Sequence, residues 1–120
     1  MSGGVAGTTQ KVLGNAVFTA GTPISVSGSG ATASQNVGDT FANAATYFVN
    51  PAGGLGSLDL FPKTDSALKQ AASPLVTTGL NGLPDWSVDF NRSARDMTYR
   101  GAYSGEGTNP GWRLVLDFKA

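Results

Sequence analysis

The chain has 120 residues, no cysteine and no histidine, and eight acidic residues balance eight basic ones. This excludes disulfides, thiol nucleophiles, Cys/His zinc centres and every acid–base scheme built on imidazole. A net charge of zero lacks the Lys/Arg excess that a phosphate-tracking surface needs, and no stretch nears the roughly 18 apolar residues of a membrane span, so neither nucleic acid binding nor membrane insertion is expected. Met1–Gln10 has neither the basic region nor the apolar run of a signal peptide.

Apolar residues make up 40% and charged residues 13%, and there are 17 glycines. Small, turn-permissive residues at this density suit an all-β architecture with tight corners. A single domain over 1–120 is expected. Residues 1–60 carry only Lys11, Asp39 and Asp59 as charges. From Asp85 onward, Asp85, Asp89, Asp96, Glu106 and Asp117 balance Arg92, Arg95, Arg100, Arg113 and Lys119. Stacked strands and turns over about 1–60, then a charge-paired tail over 61–120, follow from that contrast.

In chain order, Val12, Leu13, Val17 and Phe18 flank the turn pair Gly14–Asn15 and predict two short strands. Ile24 and Val26 alternate with Ser25 and Ser27, the period of a half-buried strand. Asn15 and Asn36 lie 21 residues apart in similar settings; they read either as two unrelated Asn turns or as successive coils of a solenoid that align Asn side chains into a ladder. Tyr47–Val49 and Leu58 with Leu60 predict further strands. Thr64-Asp65-Ser66 before Ala67, Leu68, Ala71 and Ala72, with Pro74 after them, predicts one short helix. Val88 with Phe90, and Leu114, Leu116 and Phe118, complete the strand series, the last as a closing edge strand blunted by Arg113, Asp117 and Lys119.

The later segments carry a resemblance. Phe48-Val49-Asn50-Pro51, Leu58-Asp59-Leu60, Ala72-Ser73-Pro74, Gly79, Asp89-Phe90-Asn91-Arg92, Tyr99-Arg100-Gly101-Ala102-Tyr103 and Gly111-Trp112 follow one another in this order. Together, over roughly 45–112, they resemble the C-terminal closing segment of bacterial right-handed parallel β-helix proteins. The usual Asp after the Ser-Pro turn is missing from Ser73-Pro74-Leu75-Val76-Thr77-Thr78-Gly79. The tail also runs past Tyr103 to Trp112. The resemblance implies short right-handed parallel β-helix-like coils with an irregular C-terminal cap containing the short helix. It implies a fold and a cap rather than an activity, because the family's enzymes keep their active residues on central coils. Its members are mostly secreted or cell-surface proteins, and this chain's own location is left open.

Several residues invite a functional reading. Asp85, Ser87, Asp89 and Asn91 have the spacing of a calcium loop, without its glycine and bidentate acid. Pairing of the aspartates with Arg92, Arg95 or Arg100, to hold a long loop, is the expected role. Trp86, Tyr99, Tyr103 and Trp112 are candidates for stacking on sugar rings, weighed against rings that seal the end of a core. A glycosidase pair among the aspartates has no cleft to support it, a lyase site of Arg92, Arg95 and Asp96 is a coincidence that eight cations make cheap, and Gly53-Gly54-Leu55-Gly56 reads as a turn rather than a phosphate loop. No catalytic residue and no cofactor is therefore assigned. The expected function is structural: a non-catalytic cap that self-associates as a homo-oligomer through an exposed N-terminal coil edge. The alternatives are a carbohydrate-binding module for a polysaccharide, a fragment of a polysaccharide-active enzyme, and an unrelated β-sandwich or barrel.

Overall fold

A computed structural model describes residues 9–78, 80 and 82–115. The fold is mainly β, with strands β1 (Gln10–Leu13), β2 (Ala16–Thr19), β3 (Ala31–Ser34), β4 (Val37–Thr40), β5 (Phe48–Asn50) and β6 (Asp59–Pro62). They form three two-stranded sheets. β1 pairs with β3 and β2 with β4, both parallel, while β5 pairs antiparallel with β6.

The two parallel pairs share one offset. Gln10 faces Ala31 and Ala16 faces Val37, so in both pairs each residue meets the one 21 positions later. The corners between the strands obey the same step. Gly14 and Gln35 both adopt left-handed backbone, at φ 72° and 52°. Each is followed by an asparagine, Asn15 or Asn36. Glycine takes that conformation freely, whereas a residue with a Cβ pays roughly 1–2 kcal/mol for it.

The single helix among the described residues is a 3₁₀ helix, Phe41–Thr46, placed between β4 and β5. Asp39 organises its start. One carboxylate oxygen accepts from the Thr40 N–H and the Asn43 side chain, and the other accepts from the Tyr47 hydroxyl. Those bonds favour the charged form and lower the Asp39 pKa, the Asn43 bond most of all. Phe18 of β2 then meets Tyr47 and Phe48 edge-on, with ring centroids 4.9 Å apart in both cases. The loop from β5 to β6 is closed by Asn50, whose side chain donates to the Ser57 carbonyl at 2.8 Å.

The short helix expected after Thr64 does not form. Asp65 has φ 59°, outside the helical region, and the Leu68 N–H bonds the Ser66 hydroxyl. The backbone of this segment pairs instead with residues 97–100. Gln70 donates to Thr98, Leu75 donates to Met97, and Arg100 donates to Leu68. A run of about two helical turns is marginal by itself, and the bonds to residues 97–100 take the Gln70 N–H and the Leu68 carbonyl instead. Nor do residues 22–27 form a strand, although Ile24 and Val26 are half-buried and Ser25 and Ser27 exposed. Val88 contributes only an isolated bridge to Ala94. Leu114 belongs to no strand among the described residues, though its carbonyl accepts from the Gly56 N–H. Leu116 and Phe118 of the expected closing strand, like Gly79, lie outside the described residues.

Burial is concentrated late in the chain. Phe61, Leu68, Leu75, Tyr99 and Tyr103 are buried, whereas the side chains of β1–β4 are at most half-buried. The two regions meet at the Gly14–Asn15 corner. Gly101 donates to the Gly14 carbonyl at 2.7 Å, and a Cβ on Gly101 would stand 3.0 Å from that of Ala16. Gln35 clamps the same junction. Its amide nitrogen donates to the Pro74 carbonyl at 2.7 Å and its oxygen accepts from the Val76 N–H at 2.9 Å.

Candidate functional site

Each parallel sheet has two strands, so among the described residues β1 and β2 are paired along one edge only. Beside them opens a groove of about 870 Å³. Val12 and Val17 line it from the strands, Ile24 and Val26 from the following segment, and Leu80 and Leu83 from the far side. None of the first four is fully buried. A two-stranded sheet is marginal in water, and half-exposed valines and isoleucines along an unpaired edge favour association.

The rim of this groove carries a side-chain ladder. Asn36 Oδ1 accepts from the Asn15 backbone N–H at 2.9 Å and from Asn15 Nδ2 at 3.1 Å. Asn36 Nδ2 donates to the Val12 carbonyl at 2.8 Å. Both ends of the Asn36 amide are thus engaged one step back along the 21-residue offset. Asn15, in the equivalent place at the outer rim, is exposed and turns its Nδ2 to Leu13 of its own corner.

The candidate calcium residues are placed differently. Asp89 is only 6% exposed, and both of its oxygens are used. Oδ1 accepts from the Asn91 and Ser93 N–H groups, and Oδ2 accepts from the N–H and hydroxyl of Ser104. Asn91 continues the network by donating to Asn109, and Asn109 donates to the buried Asp59 at 3.0 Å. Asp85 is exposed, with φ 59°. Among the described residues, no three acidic, histidine or cysteine side chains converge on one point.

The expected Asp–Arg pairs do not form among the described residues; the ion pair there is Lys69–Glu106 at 3.3 Å. Arg95 donates to the Gly101 carbonyl, and buried Arg100 donates to Met97, Thr98 and Ser73. Carbonyls of a loop without regular pairing must find donors, and a guanidinium supplies several at once. Desolvation lowers the pKa of both arginines. Asp96 accepts from the Thr98 N–H and hydroxyl, closing a local turn.

The aromatic candidates divide. Tyr99 and Tyr103 are 3% and 7% exposed, too enclosed to offer a face to a sugar ring. Tyr103 sits between Phe61 and Phe90, edge-on at 5.5 and 5.4 Å, and Phe90 in turn meets Trp112 at 5.2 Å. The Tyr103 hydroxyl donates to the Trp112 carbonyl at 3.1 Å. Trp112 is half-buried at the end of this seam, and half-buried Trp86 lines a separate hollow of about 540 Å³ with Leu13 and Leu75. A smaller apolar cavity of about 210 Å³ lies beneath the seam, bounded by Phe48, Leu60, Leu68 and Phe90.

Gln35 escapes a reading by motif, yet with Gly14 and Leu75 it fastens the two regions together. The signal that finds Gln35 is its place 21 residues after Gly14. No described helix is long and apolar enough to cross a membrane. Comparison with known protein families, curated proteins and solved structures returns no match for this chain.

Proposed function

We propose that the chain is the closing module of a right-handed parallel β-helix, a non-catalytic structural element that caps one end of a stack of coils and self-associates through the other. The observation that carries this reading is the common 21-residue offset of the two parallel strand pairs. Equal offsets on successive sides mean that one segment of about 21 residues lies on the next, which is how a solenoid is built. The corners support it, since left-handed backbone followed by asparagine recurs at the same step. On this reading residues 61–120 form the cap, and among the described residues Gly101, Leu75 and the Gln35 clamp hold it to the last coil.

The test is solution mass by light scattering across a concentration series. A bare coil edge drives a defined oligomer that dissociates on dilution. A monomer at every concentration would overturn self-association and shift weight to a carbohydrate-binding module. That alternative retains Trp86 and Trp112 but not the buried Tyr99 and Tyr103. Tryptophan fluorescence titrated with plant and bacterial polysaccharides reads it directly.

A further inference from the structure

We infer that the hollow walled by Leu13, Leu75, Trp86, Val88 and Met97 binds a small aromatic carboxylate whose anion meets Arg95. This goes beyond the cap reading and needs neither a stack of coils nor self-association.

The hollow lies where the Gly14–Asn15 corner meets the later chain, and its volume is about 540 Å³. Small-molecule sites fall between about 300 and 1,000 Å³, with mostly apolar walls and a few polar groups that fix orientation. Trp86 is half-buried, and among the described residues its ring packs on no other aromatic ring, whereas Trp112 meets Phe90. A flat apolar ligand fills that place. An aromatic acid suits this wall better than an acidic sugar does. The hydroxyls of a sugar need partners of their own, and the side chains of Leu13, Leu75 and Val88 offer none.

Arg95 supplies the polar end. It lines the hollow and is half-buried. Its Nη2 donates to the Gly101 carbonyl, and no acceptor among the described residues takes its Nε or Nη1. No buried side-chain nitrogen there lacks a partner, so those two donors are open to solvent. Nor does Arg95 form an ion pair among the described residues, where the pair is Lys69–Glu106. Asp89 attracts it through space, but the Asp89 oxygens are committed to Asn91, Ser93 and Ser104. Arg100 adds to the positive charge. Burial first and the charge of Arg95 second lower its pKa, and its donors are spent on the Met97, Thr98 and Ser73 carbonyls. A carboxylate against Arg95 gives both cations the negative charge they lack and accepts from donors the fold leaves unused. Asp85 also lines the hollow; it is exposed and screened by water, and it disfavours a ligand with a second negative charge.

The test titrates the full chain with naphthoate and follows the indole N–H signal of Trp86 in proton–nitrogen correlation spectra, assigned with Trp86→Phe. Naphthamide, which keeps the rings and loses the charge, and glucuronate, which keeps the charge on a sugar, are titrated beside it. Expected is a saturable shift of the Trp86 signal with naphthoate, binding of the amide weaker by about tenfold or more, and no shift with glucuronate. Arg95→Gln should cost naphthoate about the same factor and leave the amide unaffected. Arg92→Gln, at an exposed arginine that does not line the hollow, should cost nothing. The ligand series uses the unmodified chain, so it decides the question even where Arg95→Gln fails to fold. Equal binding of naphthoate and its amide would overturn the role of Arg95. A Trp86 shift as strong with glucuronate as with naphthoate would overturn the aromatic class in favour of an acidic sugar. No saturable shift up to about 10 mM naphthoate, past a weak millimolar affinity, would overturn the site.

Discussion

Leu75 lies directly over Gly14: a Cβ built on that glycine would stand 2.8 Å from Leu75 Cδ2. The same glycine has φ 72° and accepts the Gly101 N–H. One position thus meets a steric limit, a conformational limit and an inter-segment hydrogen bond. Gly14→Ala is expected to destabilise by about 2 kcal/mol or more, combining left-handed strain with displacement of a core leucine. The double variant Gly14→Ala/Leu75→Ala separates the two effects in urea denaturation. It relieves the clash but keeps the strain and adds a cavity, so it does not return to the stability of the parent.

Asn36 and Asn15 differ in what their side chains hold. The Asn36 amide accepts twice and donates once, entirely to the segment one step back. Asn36→Ala leaves the Asn15 N–H and the Val12 carbonyl without these partners, and a loss of about 1–3 kcal/mol follows. Asn15→Ala removes only donors to Leu13 and Asn36 and costs less. Thermal denaturation of the two variants side by side checks the order, and equal losses would contradict a directional ladder.

Much of the first half was legible because its structure is local and repetitive. Val12, Leu13, Val17 and Phe18 around Gly14–Asn15 mark two strands and a corner, and the Asn15–Asn36 spacing is the spacing found between the paired strands. The 3₁₀ helix at Phe41–Thr46 was not legible, since its organiser, Asp39, acts through Asn43 and Tyr47 rather than through a capping pattern at its first residue. The helix expected after Thr64 failed for the opposite reason. Its local signals were sound, but Met97, Thr98 and Arg100 took the backbone bonds. Charge balance in the tail suggested ion pairs, whereas Arg95 and Arg100 serve carbonyls and Asp89 serves N–H groups. Counting charges does not reveal which backbone groups a loop leaves in need of partners.

Asp89 gathers four donors from Asn91, Ser93 and Ser104 around one buried carboxylate. Asp89→Asn turns one acceptor into an NH₂ group that faces existing donors. It is expected to cost about 2–4 kcal/mol and to loosen the packing around Trp112. Near-ultraviolet circular dichroism with chemical denaturation checks both effects. With its oxygens already committed, millimolar calcium should leave the unfolding midpoint of the parent chain where it is. A rise that Asp89→Asn abolishes would reinstate Asp85, Asp89 and Asn91 as a metal site.

Tyr103 gives the fold an alkaline limit. Burial chiefly, with the negative charges of Asp59 and Asp89 behind it, raises its pKa above that of a free phenol. Below about pH 10 the phenol is neutral in both the folded and the unfolded chain, and its contribution is fully present. As pH rises past that point the unfolded chain ionises first, so stability falls until the folded phenol also loses its proton. Tyr47, raised mainly by its bond to Asp39, acts in the same direction. On the acid side the sign reverses. Asp39 and Asp96 have lowered pKa values, so their contributions are present above the usual carboxylate range and are lost as pH falls through the folded values. Tyr103→Phe removes the hydroxyl bond to Trp112, costing about 1 kcal/mol at neutral pH. In urea titrations from about two units below to about one unit above the free phenol value of about 10, the variant should show a shallower decline than the parent. An unchanged slope would mean that the Tyr103 phenol is hydrated in solution and that the aromatic seam is open.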